Sequence, residues 1–467
     1  MNEVRCLSLI SAAVAVLGLV SCAGGGRPDV KASALPRASA DAAVRAREES
    51  FVGMFSLPNT AVVLVRVAPL SLEPISRRVV IGEYHQAWSR SPDGSKVALG
   101  TGGQGIGVKI VDLEAMRVIG RVDTGIAAEE LAWLSPRRLV AGLQRGGTVV
   151  IDPQSGSVLR RWRHAGSPTA SVRIPEGVVT LHGVGTSGVR RTNPRLAVVD
   201  QRGERFRNAT LRGIQLEVRE EAGFIFTDYA GLAVDPQRAR AYVVAADSPV
   251  AEVDLNTMRV TYHRLESLEL PPNELAGKAY PSDAVLQRRR VGVWLGGGRL
   301  AVSGRDVVRG DSGKFTIVPG GLTLVDVGTW GECTLTGNSS GATLVGQRLL
   351  SYGPGRPVSA QGAGTESNGL TGFTLRGREA FQLFAGEPVW DVHATARRAY
   401  VRTRRELRVV EPRSGQVLRA ITPAPDLVDV ISGDCEHVHA CPDRRGRARL
   451  RRAPRVRVTH KRVGRGS

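Results

Sequence analysis

The sequence predicts an all-β protein, a β-propeller of four-stranded antiparallel blades, eight in number with seven as the alternative. Two repeated phrases carry that reading. The first is an apolar run that ends in an acidic residue and turns at once: Val108-Lys109-Ile110-Val111-Asp112, Val149-Val150-Ile151-Asp152 and Leu196-Ala197-Val198-Val199-Asp200. It returns as Ala251-Glu252-Val253-Asp254, Leu322-Thr323-Leu324-Val325-Asp326 and Leu407-Arg408-Val409-Val410-Glu411. The second phrase precedes the first and reads strand, turn, strand, as in Trp88-Ser89-Arg90-Ser91-Pro92-Asp93-Gly94-Ser95-Lys96-Val97, with degenerate copies at 132–140, 232–244 and 392–401. One supersecondary unit copied about 40–70 residues apart marks a repeat architecture. Four strands per copy make a blade, and radial closure leaves only short edges.

Composition agrees. Of 467 residues 55 are Gly and only 5% aromatic, which suits many short strands and tight turns. The 64 basic residues are almost all Arg, which reads as the codon usage of a GC-rich genome rather than a demand of folding.

Taken in order, the chain opens with Met1-Asn2-Glu3-Val4-Arg5 and an apolar run over residues 6–20. That run is short for a membrane span and has the length of a signal-peptide core. The sequence Leu19-Val20-Ser21-Cys22 resembles a bacterial lipobox. The resemblance implies residues 1–21 as a lipoprotein signal peptide and Cys22 as the lipidated mature N-terminus; an ordinary signal peptide is the alternative. Residues 22–50 read as a tether: small, polar and Gly/Pro-containing at first, then an Ala/Arg/Glu stretch over 38–49 that is either one helical segment or more tether.

The propeller is expected over residues 51–432. Its turn chemistry is local. Asp152-Pro153-Gln154-Ser155-Gly156-Ser157-Val158-Leu159-Arg160 nearly repeats as Glu411-Pro412-Arg413-Ser414-Gly415-Gln416-Val417-Leu418-Arg419. The acid accepts backbone N–H groups two residues on, Pro presets φ, and Gly supplies positive φ. These acids therefore read as structural. Eight third strands end at Ala68, Asp112, Asp152, Asp200, Asp254, Asp326, Arg376 and Glu411. The chain is expected to enter mid-blade near Ala61 and to close by pairing residues 427–431 with that first half-blade. An insertion over 266–290 blurs the count between seven and eight.

The SPDG-type turn resembles bacterial WD-repeat-like and TolB-type propellers, and the series Val234-Asp235-Pro236, Ala241-Tyr242-Val243-Val244, Val253-Asp254-Leu255 resembles YVTN-type propellers. The resemblance implies the fold far more than any activity. The Trp-Asp and Gly-His pairs of WD repeats proper are missing.

Two signatures fail on context. Gly183-Val184-Gly185-Thr186-Ser187-Gly188 matches the dinucleotide pattern, but a strand rather than a helix follows. Gly337-Asn338-Ser339-Ser340-Gly341 matches the nucleophile elbow, but both flanks are strand-like, so it reads as a hairpin loop. Cys435, His437, His439 and Cys441 are weak metal candidates, and Cys435 with Cys441 is a possible disulfide in an exported chain. Cys333 is then left unpaired and is expected in the core. His85, His164, His182, His263 and His393 are scattered, and no triad follows from their spacing.

Residues 433–467 form a basic tail, expected to be disordered, whose last 24 positions hold no acid. It suits anionic lipid or wall polymer; nucleic acid is not an expected partner outside the cytoplasm. A shifted reading frame is the other account of the tail.

The function expected is non-enzymatic binding of an envelope protein or an extracellular ligand, on the extracytoplasmic face of a membrane, with no cofactor. The alternative is a quinone- or metal-dependent oxidoreductase or hydrolase with its site over the central channel.

Overall fold

The computed structural model describes residues 50–431 apart from 58–60, 103–105, 145, 184–189, 222–223, 247, 269–285, 310–314 and 354–368. Eight four-stranded antiparallel sheets succeed one another along the chain. Blade 2 comprises the second part of Val79–Arg90, then Lys96–Thr101, Gly107–Asp112 and Arg117–Asp123. Blade 3 runs Ala128–Ser135, Arg138–Leu143, Thr148–Asp152 and Ser157–Trp162, and blade 4 Pro168–Ile174, Gly177–His182, Arg195–Asp200 and Phe206–Thr210. Blade 5 runs Gly231–Asp235, Arg240–Val244, Val250–Asp254 and Val260–His263, and blade 6 Leu286–Gly296, Arg299–Arg309, Phe315–Asp326 and Gly331–Thr336. Blade 7 runs Gly341–Val345, Arg348–Gly353, Gly369–Thr374 and Glu379–Leu383, and blade 8 Val389–Ala394, Ala399–Thr403, Leu407–Val410 and Val417–Ile421.

Blade 1 closes the ring. Its innermost strand is Leu427–Ile431, which pairs with Phe51–Ser56 through Val52↔Ile431 and Met54↔Asp429. The next strands are Ala61–Val67 and the first part of Val79–Arg90. The propeller thus begins one strand earlier than expected, with Phe51–Ser56, and the closing strand pairs with that strand rather than with Ala61–Val67.

The core settles the blade count. It consists of eight separate apolar clusters, each shared by two neighbouring blades. One unites Val65, Val67, Leu427 and Val430 of blade 1 with Tyr400, Leu407 and Val409 of blade 8. Eight interfaces among eight sheets make a closed circle. Third strands are buried on both faces, as in the B-B-B-B-i pattern of Thr148–Asp152, so they read as unbroken Val/Ile runs. Outer strands alternate and face solvent on one side, as Ser157–Trp162 does.

The turns after the third strands behave as their chemistry requires. Asp112 Oδ1 accepts the N–H groups of Glu114 at 2.9 Å and Ala115 at 2.8 Å, and Asp326 Oδ1 those of Gly328 at 2.9 Å and Thr329 at 3.0 Å. Such donors hold Asp254 and Asp326 below the usual carboxylate range. The fourth residue after the acid takes positive φ: Gly156 at 72° and Gly415 at 79°, but also Met116 at 46° and Met258 at 59°. The acid's hydrogen bonds therefore fix a conformation that does not depend on glycine.

These tight turns all lie at one end of the blades, together with the turns from inner to second strand. The connections from second to third strand, and from blade to blade, leave from the other end, the mouth. There the chain adds structure. Arg190–Thr192, Leu216–Glu221 and Phe224–Tyr229 extend the sheet of blade 6, the last pairing in parallel with Leu286–Gly296. The second and third strands of blade 6 also run long, pairing out to Arg309↔Phe315.

Candidate functional site

First strands of successive blades contact one another around most of the axis and line the channel. In blades 1, 3, 4 and 8 this strand carries a one-residue bulge at its second position, namely Val428, Glu129, Thr169 and Trp390. A bulge re-aims the side chain that follows it. The following residues are Asp429, Glu130, Ala170 and Asp391, so three of the four blades place an acid at the same height near the mouth.

Two of these acids bracket a histidine. His393 Nε2 lies 3.4 Å from Asp391 Oδ2, and Nδ1 lies 3.4 Å from Asp429 Oδ1. The Asp391 contact is an ion pair without hydrogen-bond alignment. Burial works against the imidazolium, but the two carboxylates overrule it and raise His393 to about 10. Burial likewise opposes ionisation of Asp391 and Asp429, and His393 overrules it and holds both below the usual range. Asp429 also accepts a 2.6 Å bond from Trp88 Nε1 of blade 2. Asp391 nevertheless leaves 51% of its side chain accessible.

Glu130 stands across the channel. Burial, only partly offset by Ser171 and Arg289, raises its carboxyl to about 8, with Glu129 adding to the rise. Burial and the Asp391 charge push the Tyr352 phenol up to about 12, and burial and Glu129 raise Tyr229 as well. One group is common to all of these. The Arg289 charge acts on Glu130, Tyr229, Arg305, Tyr352 and Asp391. Arg289 is exposed, and among the described residues its guanidinium forms no salt bridge or side-chain hydrogen bond. Blades 3, 6, 7 and 8 and the inserted strand Phe224–Tyr229 thus bring titratable groups within reach of the Arg289 charge.

The sequence-predicted candidates fare differently. Cys22, Cys435, His437, His439 and Cys441 lie outside the described residues. Cys333, expected in the core, is exposed on the outer strand of blade 6, because outer strands turn one face to solvent. The segment over 337–341, expected to be a hairpin loop, links blade 6 to blade 7, and Ser339 is buried with its hydroxyl 3.0 Å from that of Ser303. Within 183–188 only Gly183 is described. His263 is a rim residue, 3.0 Å from Glu252 Oε2 and stacked on Trp330 at 3.6 Å. His164 and His182 meet edge to face at 4.1 Å between blades 3 and 4. Among the described residues no group of three or more His, Cys, Asp or Glu side chains is arranged to hold a metal ion.

The residues that sequence reasoning missed are Asp391 and Arg289. Asp391-Val392-His393 on a strand places acid and imidazole on one side by period two, a signal present in the sequence. Arg289 sits in the stretch Arg288-Arg289-Arg290, where nothing singles out the middle residue.

Fold and site together define an eight-bladed β-propeller with a charged channel mouth. No protein-family model and no curated protein matches the chain. Among solved structures it is similar to the dihydro-heme d1 dehydrogenase NirN in complex with DHE, with a TM-score of 0.52 and 12% identity over 82% of this chain and 74% of that one. It is also similar to a computationally designed protein (TM-score 0.43, 13% identity, 80% of this chain, 96% of that one) and to BamB from Moraxella catarrhalis (TM-score 0.37, 11% identity, 80% and 89%). At such identities the likeness is one of fold alone.

Proposed function

We propose that this chain is an extracytoplasmic lipoprotein, anchored through Cys22, whose YVTN-like propeller binds a small polar ligand at the channel mouth without transforming it. The observation that carries the reading is the convergence of groups from four blades and an inserted strand on Arg289. Propeller folds place binding residues on loops and strand ends held by a stiff frame. The lipid anchor rests on Leu19-Val20-Ser21-Cys22, and mass spectrometry of the mature N-terminus checks it. The binding reading is checked by saturation-transfer NMR of the purified chain against a panel of amino acids, carboxylates, sugars and polyamines. One class is expected to bind, and Asp391→Asn together with Arg289→Ala is expected to abolish its signal. Signal that survives both substitutions moves the site elsewhere.

One observation favours a second reading, an enzyme with its site in the same place. Glu130, held near 8, carries a proton at neutral pH beside Arg289, the state that a general acid needs. Stoichiometric retention of an added divalent metal or quinone would favour the enzyme.

A further inference from the structure

We propose that the outer rim of blades 1 and 2 is a membrane-contact patch, which lays exposed aliphatic side chains and arginines on an anionic lipid surface. The proposal goes beyond the channel mouth and rests on the Cys22 anchor only for the presence of a bilayer nearby.

The patch follows from a repeated irregularity. In blades 2, 3 and 8 the outer strand bulges at one level, between the partners of the last two residues before the turn acid. The extra residues are Ile119, Leu159 and Leu418. Blade 1 reaches the same level through its long turn. There Val67 bridges Pro74 and the Ile75 N–H donates to Arg66 O at 2.8 Å. Ile75, Ile119, Leu159 and Leu418 are all exposed, from 36% for Leu418 to 47% for Ile75. Blade 1 adds Leu70 toward the tight turns and Val80 toward the mouth, both exposed. The matching positions of blades 4, 5 and 6 are Arg207, Thr261 and Cys333. Single exposed aliphatics are ordinary on a protein surface, but a row of them on consecutive blades marks a contact.

Charge divides the ring in the same way. Arg78, Arg117, Arg121, Arg160 and Arg419 flank the row and are exposed, and among the described residues none of them forms a salt bridge or side-chain hydrogen bond. The acids of these outer strands, Glu83 and Asp123, stand at the mouth end. The outer strands of blades 4 to 7 carry Arg207 against Glu332 and Glu379. Two further arginines stitch the rim. Arg77 donates to Met116 O at 3.0 Å and to Ala115 O at 2.6 Å, and Arg161 to Thr124 O at 3.2 Å. Blades 1, 2 and 3 therefore hold the row on a stiff frame.

The chain enters the fold at this place. Phe51 stands opposite Val67 in blade 1, at the level of the row. A flexible tether of 29 residues, the length expected over 22–50, spans roughly 30 Å. A bilayer held that close by Cys22 meets blade 1 and its neighbours first. A flat surface touches two adjacent blades of a ring, so Leu70, Ile75, Val80 and Ile119 lie at the contact, with Leu418 and Leu159 at its margins. Aliphatic tips among the headgroups and arginines on the lipid phosphates are the pattern of interfacial binding. A second copy fits worse, because a two-fold contact through the patch sets arginine against arginine. With the rim on the bilayer, the channel mouth stays open to water.

The test is co-sedimentation of the purified chain from residue 22 on, carrying Cys22→Ser so that no acyl chain contributes. The probes are vesicles of phosphatidylcholine alone and of phosphatidylcholine mixed with phosphatidylglycerol. Binding to the mixed vesicles is expected, falling as salt rises, with little to phosphatidylcholine alone. Ile75→Asp and Ile119→Asp are each expected to weaken it about tenfold, and Arg78→Gln and Arg117→Gln about fivefold. Thr261→Asp and Cys333→Asp, across the ring, are expected to leave it unchanged. The basic tail is present in every variant, so the ratios isolate the rim, and circular dichroism checks each fold. Absence of vesicle binding overturns the proposal, as does binding no weaker in Ile75→Asp and Ile119→Asp than in Thr261→Asp. A dimer that Ile119→Asp dissolves, without vesicle binding, assigns the patch to a second copy and overturns it too. Mass spectrometry of Cys22 judges the anchor separately: an unmodified Cys22 with Ile119-dependent vesicle binding removes the anchor and keeps the rim.

Discussion

Trp88 Nε1 donates to Asp429 Oδ2 at 2.6 Å, joining inner strands 341 positions apart in sequence. This bond crosses from blade 2 to the strand that closes the ring, and it holds one of the two carboxylates that keep His393 charged.

Trp88→Phe keeps the ring's bulk and removes the donor. It is expected to destabilise the fold by about 1–3 kcal/mol, the cost of leaving a charged acceptor without its partner. Urea unfolding reads this as a lower midpoint at unchanged slope. Asp429→Asn, which still accepts from the indole, is expected to cost less at this bond but to lower the His393 value.

His393 sits above its ordinary 6.5, at about 10, so the folded state holds the proton more tightly. Its contribution is complete below about pH 6.5 and is lost as pH rises through about 10. Asp391 and Asp429 are held low and contribute above the ordinary carboxylate value, losing their share as pH falls. Thermal unfolding is expected to show an alkaline decline that His393→Gln flattens. The imidazole C–H shifts of His393 are expected to stay at their protonated positions at pH 8.

Glu130 is raised from 4.5 to about 8, so stability falls as pH climbs through that window, where the unfolded chain releases the proton first. Glu130→Gln is expected to remove that slope and to unfold at a higher temperature than the parent at pH 8. Parallel melting curves from pH 5 to 9 decide it; a parent already flat across the range refutes the assignment.

His182 is fully buried, and among the described residues neither ring nitrogen has a hydrogen-bond partner of good geometry. Burial and the nearby His164 lower it to about 3, so its neutral form supports the fold and that support is lost as pH falls below about 6.5. The matching register position in blade 3 is Leu143, 1% exposed. His182→Leu is expected to stabilise the protein by about 1 kcal/mol at pH 7, more at pH 5, read by chemical denaturation.

The blades were legible because their information is local. An acid such as Asp254 selects its own turn from two residues on, and an unbroken Val/Ile run such as Val149-Val150-Ile151 announces a strand covered on both faces. The opening strand Phe51–Ser56 was missed because it is short and glycine-bearing, and only Leu427–Ile431 from the far end gives it a partner. The site was mostly hidden for a related reason. The surroundings of Arg289 depend on register across a hairpin, which sets Arg305 opposite it, and Tyr229 comes beside it through a parallel pairing with residues some sixty positions downstream. The Asp391-Val392-His393 alternation was visible, but the second carboxylate, Asp429, comes from the closing strand.

The closing strand also bears on how the molecule assembles. During synthesis seven sheets are complete while the eighth waits with the backbone groups of Phe51–Ser56 unpaired toward the axis. Until residues 427–431 arrive, that vacant berth accepts any stray extended segment, including the same strand of a second chain. A synthetic peptide of sequence Leu427-Val428-Asp429-Val430-Ile431, added during refolding, is thus a competitor for the native partner and a direct handle on the last step of ring formation.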